Sequence, residues 1–226
     1  MRKYIFLLLI FAFFCNGCMA VDKSREVTRK QSSNKENANQ DFIKIEKKEL
    51  PTNFFLDVPF VMQAPFANWD EHNESCEEAG LLLANYFYKN EKLSKDVANE
   101  ELKEMVVFQK NNYGAELDIY AVEMAKLATD FYGYDKPRVF KATKQNIVQE
   151  IVNGNPVIVP TTAAFLKPEK NDYPEMGYHV VVIVGYDETG YIVHDPGTYT
   201  GENTHYSFLV MEKAMADYGN EVLVLR

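Results

Sequence analysis

Cysteine is scarce in this chain: Cys15 and Cys18 stand within the first twenty residues, and Cys76 alone lies in the remainder. No disulfide can therefore form within the body of the protein. An unbridged thiol is either buried and inert, its ordinary fate on packing grounds, or used chemically. Basic side chains are also in deficit, with 24 Lys and Arg against 33 Asp and Glu and a net charge of −9. That balance argues against nucleic acid or an anionic membrane surface as a partner. HEXXH, paired CxxC and glycine-rich phosphate-loop patterns are all missing, so zinc and nucleotide chemistry have little support and no metal site is expected. The apolar run Tyr4 to Phe14 is too short to span a bilayer comfortably. No internal repeat is visible.

What the sequence does contain falls into three parts. Residues 1–20 read as an export signal, with basic Arg2 and Lys3, the apolar run, then Asn16, Gly17 and Cys18. Two fates fit: Gly17-Cys18 resembles the end of a bacterial lipobox with Cys18 lipidated, and Cys18-Met19-Ala20 resembles a cleavage site. Lipidation is preferred, although Cys15 stands where a lipobox usually has leucine. Residues 21–49 are rich in Lys, Glu, Asn, Ser and Gln, the composition of a disordered polar tether. Composition changes abruptly near Leu50 to Phe54, Phe55, Leu56, Val58 and Phe60, so residues 50–226 are taken as one globular domain. With 46% hydrophobic and 13% aromatic residues, the chain can build a sizeable core.

Within that domain, Ala79, Leu82, Leu83, Tyr86 and Phe87 recur at helical spacing and predict a core-facing helix. Ser75 followed by Glu78 has the form of a capping box, making Ser75 the expected N-cap and Cys76 the first helical residue. Further helices are expected after Ser94, Asp118 and Thr143, the last ending at Gly154 before a strand-like run from Pro156 to Pro160. Val180 to Val184 is short, apolar and β-branched, a buried strand. Gly185 to Gly190 is turn-rich, Tyr191 to Val193 is a strand, and Asp195-Pro196-Gly197 is a turn. Tyr206 to Val210 and Glu221 to Leu225 are expected strands, with a short helix from Glu212 to Asp217. Helices first and strands later indicate an α+β domain.

A thiol attacks carbonyl carbon well only as its thiolate, and the first turn of a helix offers unpaired N–H groups and a positive dipole end that favour the anion. Cys76 is expected there, where the same N–H groups can face an oxyanion. Glu77 and Glu78 oppose a nearby negative sulfur and must point away if the thiol is reactive. Four histidines compete as the base. His72 in a polar loop is best explained as exposed and solvated, and His194 and His205 as surface residues at strand ends. His179 differs because it opens the most apolar strand, though a structural, hydrogen-bonded histidine explains it equally well. Asp187 is midway between residues 179 and 195, so a hairpin with an odd-numbered loop centred there sets Asp195 directly opposite His179. A carboxylate so placed fixes the imidazole tautomer and steadies the charged ring. An even-numbered loop would break this pairing, and a turn-initiating Asp before Pro-Gly is the alternative reading.

Three blocks of residues then resemble a known family. Val58-Pro59-Phe60-Val61-Met62-Gln63-Ala64-Pro65-Phe66 with Asn68-Trp69-Asp70 and Ser75-Cys76-Glu77-Glu78-Ala79 is similar to the opening motif of the C39-like cysteine peptidases, relatives of the papain fold. Gly177-Tyr178-His179-Val180-Val181-Val182, with Gly185-Tyr186-Asp187, and then His194-Asp195-Pro196-Gly197 resemble that family's histidine and aspartate motifs. The resemblance runs from about Leu56 to Leu225. It implies a papain-like cysteine peptidase fold, with helices of the N-terminal half packed on a C-terminal antiparallel sheet. It further implies that Cys76 is the nucleophile, His179 its base and Asp195 the orienting group, with no cofactor. Gln63 would supply the side-chain donor of the oxyanion hole, Asn68 and Asn73 being alternative donors, and Trp69 would pack or wall the cleft.

The implied reaction is hydrolysis of peptide or amide bonds through a thioester, on a peptide or protein substrate. The membrane would be met only through the signal or a lipid anchor. Two other readings stay open: a cell-wall peptidoglycan amidase or peptidase, and a catalytically silent surface binding module of the same fold.

Overall fold

The apolar run Val180 to Val184 is the buried centre of β4 (Tyr178–Tyr186) in the computed structural model of the chain, which describes residues 49–114, 120–166 and 177–226. The export signal with Cys18 and, apart from Glu49, the tether lie outside the described residues. Before β4 come β1 (Phe54–Phe55), α1 (Trp69–His72), α2 (Cys76–Lys89), α3 (Lys95–Tyr113), α4 (Ala121–Tyr132), β2 (Arg138–Lys141), α5 (Lys144–Val152) and β3 (Val157–Thr162). After it come β5 (Gly190–His194), β6 (Thr204–Ser207), α6 (Phe208–Met215) and β7 (Glu221–Val224). The strands form an antiparallel sheet in the order β2-β7-β3-β4-β5-β6, with β1 added beside the end of β4. Mostly N-terminal helices thus pack on a mostly C-terminal antiparallel sheet, an α+β, papain-like arrangement.

Helix α2 holds the two layers together. Leu81 and Leu83 join the sheet's core of Ile158, Val180 and Val182, while Ala79, Leu82 and Tyr86 pack with Ala98, Leu102 and Met105 of α3. Each fully buried leucine contributes about 1.5–3 kcal/mol. Gly80 sets how closely helix and sheet approach, because a Cβ there would lie 3.0 Å from Val180 Cγ1 and 3.2 Å from Ile158 Cγ2. The backbone of α2 therefore sits directly on β3 and β4, which fixes where its first residue, Cys76, meets the sheet.

Local signals placed several boundaries well. Ser94 and Thr143 accept hydrogen bonds from Val97 N–H and Asn146 N–H and start α3 and α5. Elsewhere the structure corrects the sequence reading. The expected strand from Tyr206 to Val210 stops at Ser207, whose hydroxyl caps α6 by accepting from Val210 N–H. The run Phe208 to Met211 is therefore helical, and its apolar content carries no strand period. Helix α4 starts at Ala121 with Tyr120 as N-cap, and Asp118 lies outside the described residues. Strand β2, unrecognised in the sequence, covers the sheet edge by pairing with β7.

Candidate active site

Cys76 opens α2, as its position after Ser75 suggests, but the capping box does not form. Ser75 makes no side-chain cap, and its hydroxyl instead meets His72 Nδ1 at 3.3 Å. His72 is buried rather than solvated, its Nε2 lying 3.1 Å from Asn99 Oδ1, which also accepts from Asn68 Nδ2 at 2.8 Å. A closed network to α3 thus takes the hydroxyl that a cap would have used. Glu78, the other half of the expected box, is buried and accepts from Gln109 of α3.

Gln63 brackets the site. Its side-chain Nε2 donates to His72 O at 3.0 Å and Asn73 O at 3.1 Å, while its backbone N–H donates to Pro196 O at 2.9 Å. One residue therefore ties the loop that delivers Cys76 to the turn that follows Asp195. Both amide hydrogens of the side chain are spent on that loop in this conformation. Asn73 Nδ2 donates to Glu74, and Asn68 Nδ2 also donates to Glu71. Trp69 is half-buried at the start of α1.

The Cys76 side chain is 4% exposed, and its thiol donates to Glu77 Oε2 at 3.0 Å. Glu77 therefore does not point away from the sulfur, contrary to the requirement drawn from the sequence. The backbone N–H of Val180, the residue after His179, also faces the sulfur and favours its anion. That donor is outweighed: burial first, then the carboxylates of Glu77 and Glu78, push the thiol well above its ordinary value.

His179 and Asp195 are brought together, both fully buried, with Nε2 2.8 Å from Asp195 Oδ1. Their register differs from the expected one. Tyr186 pairs with Tyr191, so the β4–β5 turn spans residues 187–190, an even count, and that pairing carried along the strands would set the two side chains on opposite faces. An extra residue on β4 between Ile183 and Gly185 shifts the register, so that Ile183 meets Val193 and Val182 meets His194. This bulge restores the parity, and Asp195 reaches the ring diagonally from just beyond β5. Tyr206 O–H donates to Asp195 Oδ2 at 3.2 Å and Gly197 N–H to Oδ1 at 3.1 Å. On the other side of β4, Thr161 pairs with His179 and its hydroxyl donates to the His179 carbonyl at 3.0 Å.

His194 is buried, not on the surface. Its Nδ1 accepts from Asn203 N–H at 3.2 Å, so Nε2 carries the hydrogen given to Val58 O at 2.9 Å. Burial holds its protonation below the usual histidine range. It ties the opening segment to the sheet and is a structural residue. His205 is exposed and meets Asp187 and Thr189 at the β4–β5 turn. Among the described residues, no group of three His, Cys, Asp or Glu could hold a metal ion.

The carboxylate–imidazole pair and the helix-opening cysteine can now be set beside known proteins. A candidate C39-like peptidase from Bacillus anthracis, solved as a crystal structure, is 17% identical and superposes with a TM-score of 0.55, covering 78% of this chain and 98% of that one. At that identity the likeness shows the shared fold alone. The peptidase domain of Streptococcus ComA, a bi-functional ABC transporter involved in a quorum-sensing pathway, is 15% identical over 74% of this chain and 93% of that one. Its TM-score of 0.41 is too low to support a comparison of sites. No curated protein matches the chain significantly. The Peptidase_C39 like family model matches residues 55–221, from the first strand of the sheet to the start of the last, and the chain belongs to that family.

Proposed function

We propose that this protein is an exported or surface-anchored cysteine peptidase in which Cys76 attacks, His179 transfers protons and Asp195 orients the imidazole. The observation that carries this reading is the buried 2.8 Å contact from His179 Nε2 to Asp195 Oδ1, on the strand whose Val180 N–H faces the Cys76 sulfur. With Nε2 committed to the carboxylate, Nδ1 is the ring nitrogen that accepts the thiol proton. The thiolate adds to the carbonyl carbon, and the oxyanion faces the first-turn N–H groups of α2, which have no carbonyl four residues back to bind. The imidazolium then protonates the leaving amine, and water releases the acyl group from the thioester. Gln63 can join the oxyanion hole only by exchanging one of its bonds to the loop carbonyls of residues 72 and 73.

One observation favours a silent binding module instead: the thiol is held by Glu77 and its ionisation is suppressed. Incubating the full chain with a peptide library and with purified peptidoglycan separates these readings. Peptide turnover that falls at least about tenfold in His179→Ala and vanishes in Cys76→Ala is the expected result. Unchanged slow labelling of Cys76 by an alkylating probe in wild type and H179A, with no turnover, would mark a silent domain. Release of peptidoglycan fragments without peptide cleavage would mark a cell-wall amidase.

The surface-anchored form of the proposal rests on Gly17-Cys18 at the end of the apolar N-terminal run. Fatty-acid labelling of the membrane fraction is expected for the wild type and not for Cys18→Ala. Equal secretion of both proteins, starting after Ala20, would establish simple cleavage.

A further inference from the structure

Glu77 has no part in the reaction written above, yet it makes the sulfur's hydrogen bond. Its carboxylate is 2% exposed and lies on α2 beside the nucleophile, accepting the thiol hydrogen at 3.0 Å through Oε2. The groups facing the sulfur are few and oppose one another. From α2 come the Glu77 and Glu78 carboxyl groups, and from β4 comes the N–H of Val180, the residue after His179. Glu78 is held by Gln109 of α3, which gives it a separate structural role. Glu77 alone of the two carboxylates touches the atom that reacts.

We propose that Glu77 holds Cys76 as a neutral thiol in the unliganded site, and that its carboxylate must leave the sulfur before the thiolate–imidazolium pair can form. This rests on the peptidase reading for its role in turnover, but not for its effect on the thiol. The proton balance is simple. In the resting state the hydrogen stays on sulfur and bridges to Oε2. On activation it passes from sulfur to His179 Nδ1, leaving thiolate and imidazolium, and Glu77 keeps its charge throughout. A carboxylate that stayed in place would lie against a second anion in a water-poor site, where such repulsion is weakly screened. Rotation about the Glu77 side-chain bonds removes it and leaves the Val180 N–H as the sulfur's donor. Keeping the thiol protonated between turnovers also slows its oxidation, which follows thiolate character.

The test is Glu77→Gln, which preserves size and an accepting oxygen but removes the charge. In the full chain with Cys15 and Cys18 replaced by serine, the thiolate absorbance of Cys76 is titrated against pH, and its alkylation by iodoacetamide is timed at neutral pH. The midpoint is expected to fall by about one unit or more. Alkylation is expected to accelerate by about threefold per unit, less than the tenfold gain in thiolate because a less basic thiolate is a weaker nucleophile. An unmoved or raised midpoint overturns the proposal, as does slower alkylation, which would make Glu77 the base that removes the proton. Should E77Q fail to fold, Glu77→Asp retracts the charge by one methylene, and its midpoint is expected to fall by a smaller amount. The midpoint shift supports Glu77's hold on the thiol whether or not peptide is cleaved. Failure of the peptidase reading shows separately, as an absence of turnover in wild type and variant alike.

Discussion

Asp195→Ala is expected to lower peptide turnover by about three to four orders of magnitude, the scale seen when a triad's orienting carboxylate is lost. The cause can be followed atom by atom. Oδ1 accepts from His179 Nε2 and Gly197 N–H, and Oδ2 accepts from Tyr206 O–H. Alanine leaves those three donors facing the space of a fully buried carboxylate. Each unsatisfied buried group costs about 1–3 kcal/mol, so folding stability should also fall by about 3–5 kcal/mol. The imidazole, no longer held by Nε2, can adopt the tautomer that carries its hydrogen on Nδ1, and that ring cannot take the thiol proton. Asp195→Asn is the informative comparison. Its carbonyl oxygen can still accept from His179 and Gly197, and its amide can donate to the Tyr206 oxygen. It should therefore keep more of the folding stability than alanine does, while turnover still falls by up to about four orders of magnitude, the loss seen when a triad's carboxylate becomes an amide. Turnover measured alongside chemical denaturation separates the two costs. Equal activity in all three proteins would remove Asp195 from the mechanism.

Gly201→Ala is expected to be the most damaging single methyl group in the domain. A Cβ at this position would lie 1.8 Å from the Asp195 carbonyl oxygen and 2.9 Å from Thr198 Oγ1. Those neighbours cannot simply retreat, because Asp195 N–H donates to Gly201 O at 2.9 Å and Gly201 N–H to Thr198 O at 3.3 Å. The loop must open, and opening it breaks the bonds that hold Asp195 under His179. A loss of more than about 3 kcal/mol is expected, beyond ordinary overpacking because the obstacle is backbone rather than a mobile side chain. Gly177→Ala is the control. An added Cβ there meets nothing within 4 Å and its φ lies outside the left-handed region, so stability should change by less than about 0.5 kcal/mol. Thermal or denaturant midpoints of the two variants decide the matter, and a G201A protein as stable as G177A would refute the close approach.

Parts of this domain were legible in the sequence because the forces that set them act over a few residues. The apolar, β-branched run at Val180 to Val184 had to be an interior strand, and Ser94 and Thr143 had to start helices, because each needs only its immediate neighbours. Cys76 also opens α2, but without the Ser75 side-chain cap that its neighbours suggest. The pairing of His179 with Asp195 was anticipated for a reason that proved incomplete. The turn has even length, and a bulge near Val184 supplies the missing residue of register.

Other features depended on segments far apart in the chain. His72 and His194 look like loop and strand-end histidines in sequence, yet Asn99 and Val58 lie against them and make them interior. Gln63 sits in a motif that points to an oxyanion donor, while its contacts make it a clamp between the 72–73 loop and Pro196. By itself, then, the order of residues indicated most of the elements and the buried strand, since periodicity, capping and composition are local, while Cys76, His179 and Asp195 stood out as candidates through a resemblance of motifs. Only the tertiary structure decided that the Glu77 carboxylate meets the thiol, and that a bulge rather than the turn length brings Asp195 to the imidazole. Burial strips away the water that would otherwise serve both, and packing across the sheet determines which side chains remain in reach.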